Sequence, residues 1–265
     1  KASSMMVTKR DRSKEPISLD KITNRVSVLS TGLNIDPIVV VQKAVPGLYS
    51  DISSVEIDTY LAETAAALTV EHPDYSYLAA RIKVNSLHKE TPGFIIATKN
   101  LYDDGLLREE YFKKVMENAD AIESIIDYDK DYTFDYFALT TLIRAYLLKF
   151  DNRTIERPQD LWMRVTLTVT GNEFNLDKIK ETYKSLSSGM YTHATPTLFN
   201  SGLKMQQLSS CFLIGMEDDS IEGIFNTIKD CALISKTAGG IGMHAHNIRG
   251  SGSRIKSTNG KSNGL

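Results

Sequence analysis

The chain has 265 residues, 42% apolar and 24% charged, with a net charge of −2. That balance describes a globular protein larger than one average domain and gives no bulk electrostatic case for nucleic acid. No run of ~18 apolar residues occurs, so no membrane-spanning helix is expected, and a cysteine count of 2 argues against a disulfide framework and for a reducing compartment.

Residues 1–15 lack the apolar core of a signal peptide. Residues 5–12 predict a short strand and turn carrying Lys9 and Arg10, and Glu15 begins a second strand. Asp20 opens a helix with Leu19, Ile22, Val26 and Leu29 on one face, and Lys21 lies at its start. The plain reading of these cations is a solvated hairpin with charged edges. Residues 36–49 predict a second helix. Ser53 and Glu56 have the spacing of a capping box, which opens a third helix running to about Val70. Residues 74–89 predict a fourth helix with Leu78, Ile82 and Leu87 inward, and Pro92-Gly93 ends the unit. Residues 5–92 therefore read as a hairpin plus four helices.

Residues 93–190 read as mostly helical scaffold. Helices are predicted over 108–126 and 136–150, then from Pro158, which suits the first helical position. Asn175 caps a further helix. The Tyr and Phe residues at 132–137 read as core. No His, Cys or carboxylate constellation stands out here.

Residues 191–265 are dense in Gly, Ser, Thr and Asn, which let backbone approach a ligand. A strand over 208–216 places Cys211 and Leu213 on one face, with Ser210, Phe212, Ile214 and Met216 on the other. Asp219 to Glu222 repeats the capping-box spacing and opens a helix to about Lys236. That helix is apolar on more than one side, which suits a partner chain. Cys231, within it, reads as an inert buried thiol. A Gly-rich loop, a strand and a long loop over 249–263 follow. Three motifs fail on context. Gly240-Ile-Gly242-Met-His-Ala245 follows a helix, where a dinucleotide fingerprint follows a strand. Gly260-Lys261-Ser262 lacks the first P-loop glycine, since that position is Ile255. His244 and His246 could share a strand face, but no third metal ligand is near in sequence. The chain ends in NGKSNGL, in mid-loop, which suggests a piece of a longer protein.

The stretches VTKRDRSKEPISLDKI, SSVEIDTYLAETAAALT and HPDYSYLAARIKVNSLHKE resemble the ATP-cone domain. The resemblance implies an activity site for ATP or dATP. It would be formed by Lys9, Arg10, Glu15, Pro16, Ile17, Ser18, Leu19, Asp20, Lys21, Ser54 and Asp58. Cations beside a helix N-terminus suit triphosphate oxygens. Arg12 stands where the family usually has Gly.

HATPTLFNSG, QLSSCFL, DDSIEGI, ALISKTAGGIG, HNIRGSGS and STNGKSNGL, in that order, resemble the large subunit of eukaryotic-type class I ribonucleotide reductase. The implied fold is α+β and multi-domain: an ATP cone over 5–92, a helical domain over 93–190, and from 191–265 the start of a ten-stranded α/β barrel. The implied chemistry reduces ribonucleoside diphosphates by a thiyl radical, with two electrons from a cysteine pair. Cys211 matches the first of that pair, and Thr195 and Ser210 match substrate-binding positions. Asp219, Ser220, Ile221, Lys236, Arg249, Lys256 and Ser257 match a specificity site for dTTP or another dNTP. Lys256-Ser257 departs from the family's common small pair. The radical cysteine, the second reducing cysteine and the other catalytic groups are expected beyond Leu265, so this piece is expected to be inactive alone. The resemblance further implies Mg2+ carried with the nucleotides, with no metal held directly by the chain. It implies a homodimer, with higher oligomers under dATP. It also implies a small radical-generating subunit, thioredoxin or glutaredoxin as reductant, and a cytoplasmic location. Nucleic-acid and membrane partners are not expected. An ATP-cone regulator of transcription is disfavoured, because such proteins carry paired C-x-x-C motifs and this chain has none.

Overall fold

A computed structural model describes residues 5–264. These form two compact units, one through Tyr191 and one from Thr192 onward.

The first unit opens with a hairpin of β1 (Met6–Thr8) and β2 (Lys14–Pro16). Then come α1 (Leu19–Leu29), α2 (Pro37–Ala44), β3 (Ile52–Ser53), α3 (Ser54–Ala67) and α4 (Asp74–Glu90). Strand β3 adds parallel to β1, with Val7 opposite Ile52, so the hairpin is one part of a three-stranded sheet. Two residues of strand carry no readable period, which is why β3 escapes the sequence. Helix α2 is shorter than expected because Pro46 and Gly47 tighten the chain into a 3-10 turn. The α3 start follows the sequence closely. Ser53 Oγ accepts from Glu56 N at 3.1 Å, and Glu56 accepts from Ser53 N at 2.9 Å. Val26, Leu61, Leu78 and Ile82 form the core of this region, while Leu19 is 45% exposed rather than inward.

The unit continues through α5 (Phe94–Asp103), α6 (Glu109–Glu117), α7 (Ala119–Glu123) and α8 (Tyr136–Thr141). The helix expected over 108–126 is thus split at Asn118. The one expected over 136–150 also breaks. A π-helical turn, Leu142–Tyr146, follows α8 and leads into a small hairpin, β4 (Lys149–Phe150) with β5 (Arg153–Thr154). Helices α9 (Pro158–Val169) and α10 (Leu176–Ser187) complete the unit, with Pro158 at the first position and Asn175 capping α10. Of the aromatic run, Tyr132, Phe134 and Tyr136 pack against buried residues, but Phe137 is 78% exposed.

The region read as scaffold does hold buried carboxylates. Asp131 accepts from Gln159 N and meets His88 Nε2 at 2.7 Å. Asp160 accepts from Tyr128 Oη at 2.6 Å and from Arg157 N at 2.8 Å. Glu156 pairs with Arg164 at 2.6 Å. These partners come from α4, α9 and the turns between, too far apart in sequence to show a motif. The Arg157 guanidinium donates to the carbonyls of His88 and Thr91 and to the Thr91 hydroxyl, and lies 4.6 Å from the Tyr128 ring centroid.

The second unit contains α11 (Thr195–Asn200), β6 (Cys211–Gly215), α12 (Ile221–Lys236) and β7 (Gly240–His244). Strands β6 and β7 pair in parallel with α12 between them, one β-α-β step. The glycines at 240 and 242 lie within β7, not in a loop ahead of it. Gly240 fits because an added Cβ would sit 3.1 Å from the Ser210 carbonyl. The expected long loop folds into a hairpin, β8 (Arg254–Ile255) with β9 (Gly260–Lys261). No barrel closes among the described residues, and no helix is long and apolar enough to cross a membrane.

Candidate functional site

The hairpin and the start of α1 enclose a pocket of about 450 Å³. Five cationic side chains face it, Lys9, Arg10, Lys21, Arg25 and Lys89, against the acids Asp11 and Glu15. Glu15 spans two of the cations, 3.0 Å from Lys9 and 3.3 Å from Lys21, and these bonds hold its carboxyl below the usual range. Arg10 forks across α3 and α4. Its Nη2 donates to Ser86 Oγ at 2.7 Å, Asp58 Oδ2 at 3.1 Å and Glu90 Oε1 at 3.2 Å. Burial, then the neighbouring Arg25, pushes the Lys89 ammonium down, with Asp58 opposing. Ser18 caps α1 by accepting from Lys21 N, so a helix N-terminus also borders the pocket.

Of the residues expected here, Lys9, Arg10, Glu15, Ile17, Ser18, Lys21 and Ser54 face the pocket. Asp58 stands behind them, 3% exposed, and bonds Arg10 and Arg25. Pro16, Leu19 and Asp20 are not part of the wall. Sequence reasoning missed Arg25 and Lys89. Arg25 was findable, because it lies four residues after Lys21 on the same helix face. Lys89 was not, since only tertiary packing brings the end of α4 here. Arg12 has φ 68, so the hairpin keeps the left-handed turn that glycine would provide.

In the second unit a pocket of about 780 Å³ forms between the start of α12 and the 249–264 segment. Asp219, Ser220, Ile221, Arg249, Lys256 and Ser257 line it. Asp219 does not cap the helix as its spacing suggested. Ser220 does, accepting from Gly223 N at 3.0 Å. Asp219 instead accepts from Arg249 Nε at 2.6 Å, while its carbonyl accepts from Arg249 Nη2 at 3.1 Å. Lys236 is absent from the pocket: it closes the other end of α12, ~22 Å along the axis from Ile221 at ~1.5 Å per residue. The apolar surface of α12 is open, with Ile221 74%, Phe225 64% and Leu233 58% exposed.

Cys211 is the first residue of β6, opposite Gly240, and is exposed as a free thiol. Ser210 beside it is exposed, and its carbonyl accepts from Gly240 N at 2.7 Å. Thr195 is the first residue of α11. That helix is tied to the stretch before β6 by two residues the sequence did not single out. Thr197 Oγ1 donates to the Leu208 carbonyl at 3.0 Å, and Asn200 Nδ2 to the Gln207 carbonyl at 2.8 Å. Cys231 is half-buried, not fully buried as expected. His244 and His246 stack with Nδ1 atoms 2.7 Å apart. Among the described residues no group of three or more His, Cys, Asp and Glu is placed to hold a metal ion.

Three family models match the chain in order. The ATP cone domain matches residues 5–90, the all-alpha domain of ribonucleotide reductase 132–206, and its barrel domain 209–265. A ribonucleoside-diphosphate reductase large chain of Saccharomyces cerevisiae is 47% identical over 98% of this chain and 31% of its own length. The large subunit of Arabidopsis thaliana is 46% identical over 98% of this chain and 33% of its own length. That of variola virus is 46% identical over 98% and 35%. The chain spans about a third of the length of the curated relatives it matches.

Proposed function

We propose that this chain, which belongs to the ribonucleotide reductase large-subunit family, is the nucleotide-regulated N-terminal part of a ribonucleoside-diphosphate reductase. The observation that carries this reading is the hairpin pocket, where five cations and a helix N-terminus converge on one cavity. That donor set suits the triphosphate of ATP or dATP, with Mg2+ entering on the nucleotide. Lys9, Lys21 and Arg25 would bind phosphate oxygens. Asp58 would hold Arg10 and Arg25 in place from behind.

The pocket beside α12 would take the specificity effector, dTTP or another dNTP, with Arg249 oriented by Asp219. Lys236 lies too far along α12 to share it within one copy. In a homodimer packed through the open face of α12, it would reach the pocket of the second copy.

Cys211 would supply one thiol of the reducing pair. Two thiols become a disulfide, giving two electrons and two protons; the ribose C2′–O bond breaks, a C2′–H bond forms and the oxygen leaves as water. The second thiol would come from a cysteine outside these residues. Thr195 and Ser210 would hold the substrate diphosphate nucleoside. Turnover would also need the small radical-generating subunit and thioredoxin or glutaredoxin, in the cytoplasm, and the 265-residue chain alone would be inactive.

Calorimetric titration of the chain with ATP and dATP tests the pocket. The Lys9→Ala, Lys21→Ala double variant should bind at least ~10-fold more weakly, because each lost charge-assisted bond is worth roughly 1.5 kcal/mol or more. Unchanged affinity would overturn the assignment.

A further inference from the structure

We propose that a second cavity, between α3–α4 and the α8–β5 segment, binds a phosphorylated small molecule with an apolar body. It encloses about 650 Å³, within the range of small-molecule sites. This goes beyond the hairpin-pocket reading and does not depend on what that pocket binds.

The charges carry the argument. Lys83, Lys89 and Arg153 face this cavity, and none forms an ion pair among the described residues. The acids in the same wall, Asp58 and Glu90, are already engaged by Arg10 at 3.1 and 3.2 Å. The cavity is therefore left with unneutralised cations. Three of them suit a phosphate or polyphosphate better than a single carboxylate.

The remaining wall suits an apolar body. Val55, Leu87, Tyr136 and Ile143 line it. Lys83 Nζ lies 5.6 Å from the Tyr136 ring centroid, which positions the ammonium at the wall. Ile143 belongs to the π-helical turn, a distortion that recurs at functional sites because it re-aims side chains. Tyr136, Ile143 and Arg153 take no part in the hairpin pocket, whereas Arg10 and Lys89 face both cavities. Filling one would therefore change the charge seen by the other.

Inorganic tripolyphosphate is the probe, titrated calorimetrically into the 265-residue chain. Against the unaltered chain, Lys83→Gln, Arg153→Gln should weaken one binding event at least ~10-fold and leave the events at the hairpin and α12 pockets in place. A set of binding events in that variant undiminished from the unaltered chain would overturn the proposal. Lysine acetylation read by mass spectrometry gives an answer that needs no altered cavity. Tripolyphosphate should slow labelling of Lys83 even in the Lys9→Ala, Lys21→Ala chain, where the hairpin pocket is disabled. Equal labelling of Lys83 with and without the anion would also overturn it. A failure of the hairpin reading would show only in the Lys9 and Lys21 variant and would leave Lys83 protection intact.

Discussion

Arg10, on the tip of the hairpin, is held by Asp58 from inside α3 at 3.1 Å, and the same carboxylate meets Arg25 at 2.5 Å. One buried acid thus fixes two cations that come from different elements. Asp58→Ala would leave both without their shared counter-charge. We expect a loss of about 2–3 kcal/mol in urea unfolding, below the full range for a buried pair because both arginines reach solvent. Asp58→Asn keeps the shape, so it should cost less while still loosening Arg10. An Asp58→Ala chain with unchanged stability would contradict this account.

Burial raises the Asp160 carboxyl to about 7 against the bonds from Tyr128 and Arg157 N, with Glu156 and Asp131 adding like charge. The folded state then keeps a proton that the unfolded chain has lost between about pH 4 and pH 7. Stability contributed by this group should fall as pH rises through that window and level off above it. Urea midpoints at pH 5 and pH 7.5 measure the decline. Asp160→Asn, which cannot ionise, should have a flatter profile over the same interval. An equally steep profile in that variant would remove Asp160 as the cause.

Arg12 sits at φ 68, where a side chain is strained and glycine is not. Arg12→Gly should raise stability by about 0.5–1 kcal/mol, the strain relieved less the entropy glycine loses. Thermal denaturation would register this as a higher midpoint. A lower one would mean that Arg12 makes a compensating contribution.

Cys211 is exposed at a strand start and Cys231 is half-buried in α12. Iodoacetamide should therefore label Cys211 several-fold faster in the 265-residue chain. Peptide mapping over time gives both rates. Faster reaction at Cys231 would contradict the exposure seen in the structure.

Ile221, Phe225 and Ile228 fall on one exposed stripe of α12. If that face joins two copies, Phe225→Glu should shift sedimentation towards monomer and leave the far-ultraviolet spectrum unchanged. A dimer undisturbed by this charge would place the contact elsewhere.

Local features were legible and distant ones were not. Ser53 and Glu56 announce the α3 start because both bonds lie within one turn. Pro158 and Asn175 mark helix starts for the same reason. Arg10 meets Asp58, 48 residues away, and Glu90, 80 away, so nothing near Arg10 in sequence shows its environment. The break after Thr141 escaped because the apolar period runs on through Leu142, Ile143 and Leu147 while the backbone loosens into a π turn. Asp219 misled in the opposite way: its spacing mimics a cap, but Ser220 takes that role and frees Asp219 for Arg249.

The Arg157 side chain grips the last turn of α4 through two carbonyls and a hydroxyl, and Tyr128 backs it. The linker at Pro92-Gly93 is thereby bypassed by a strut. A tilt of α4 would be passed as leverage to α9 rather than absorbed at the linker.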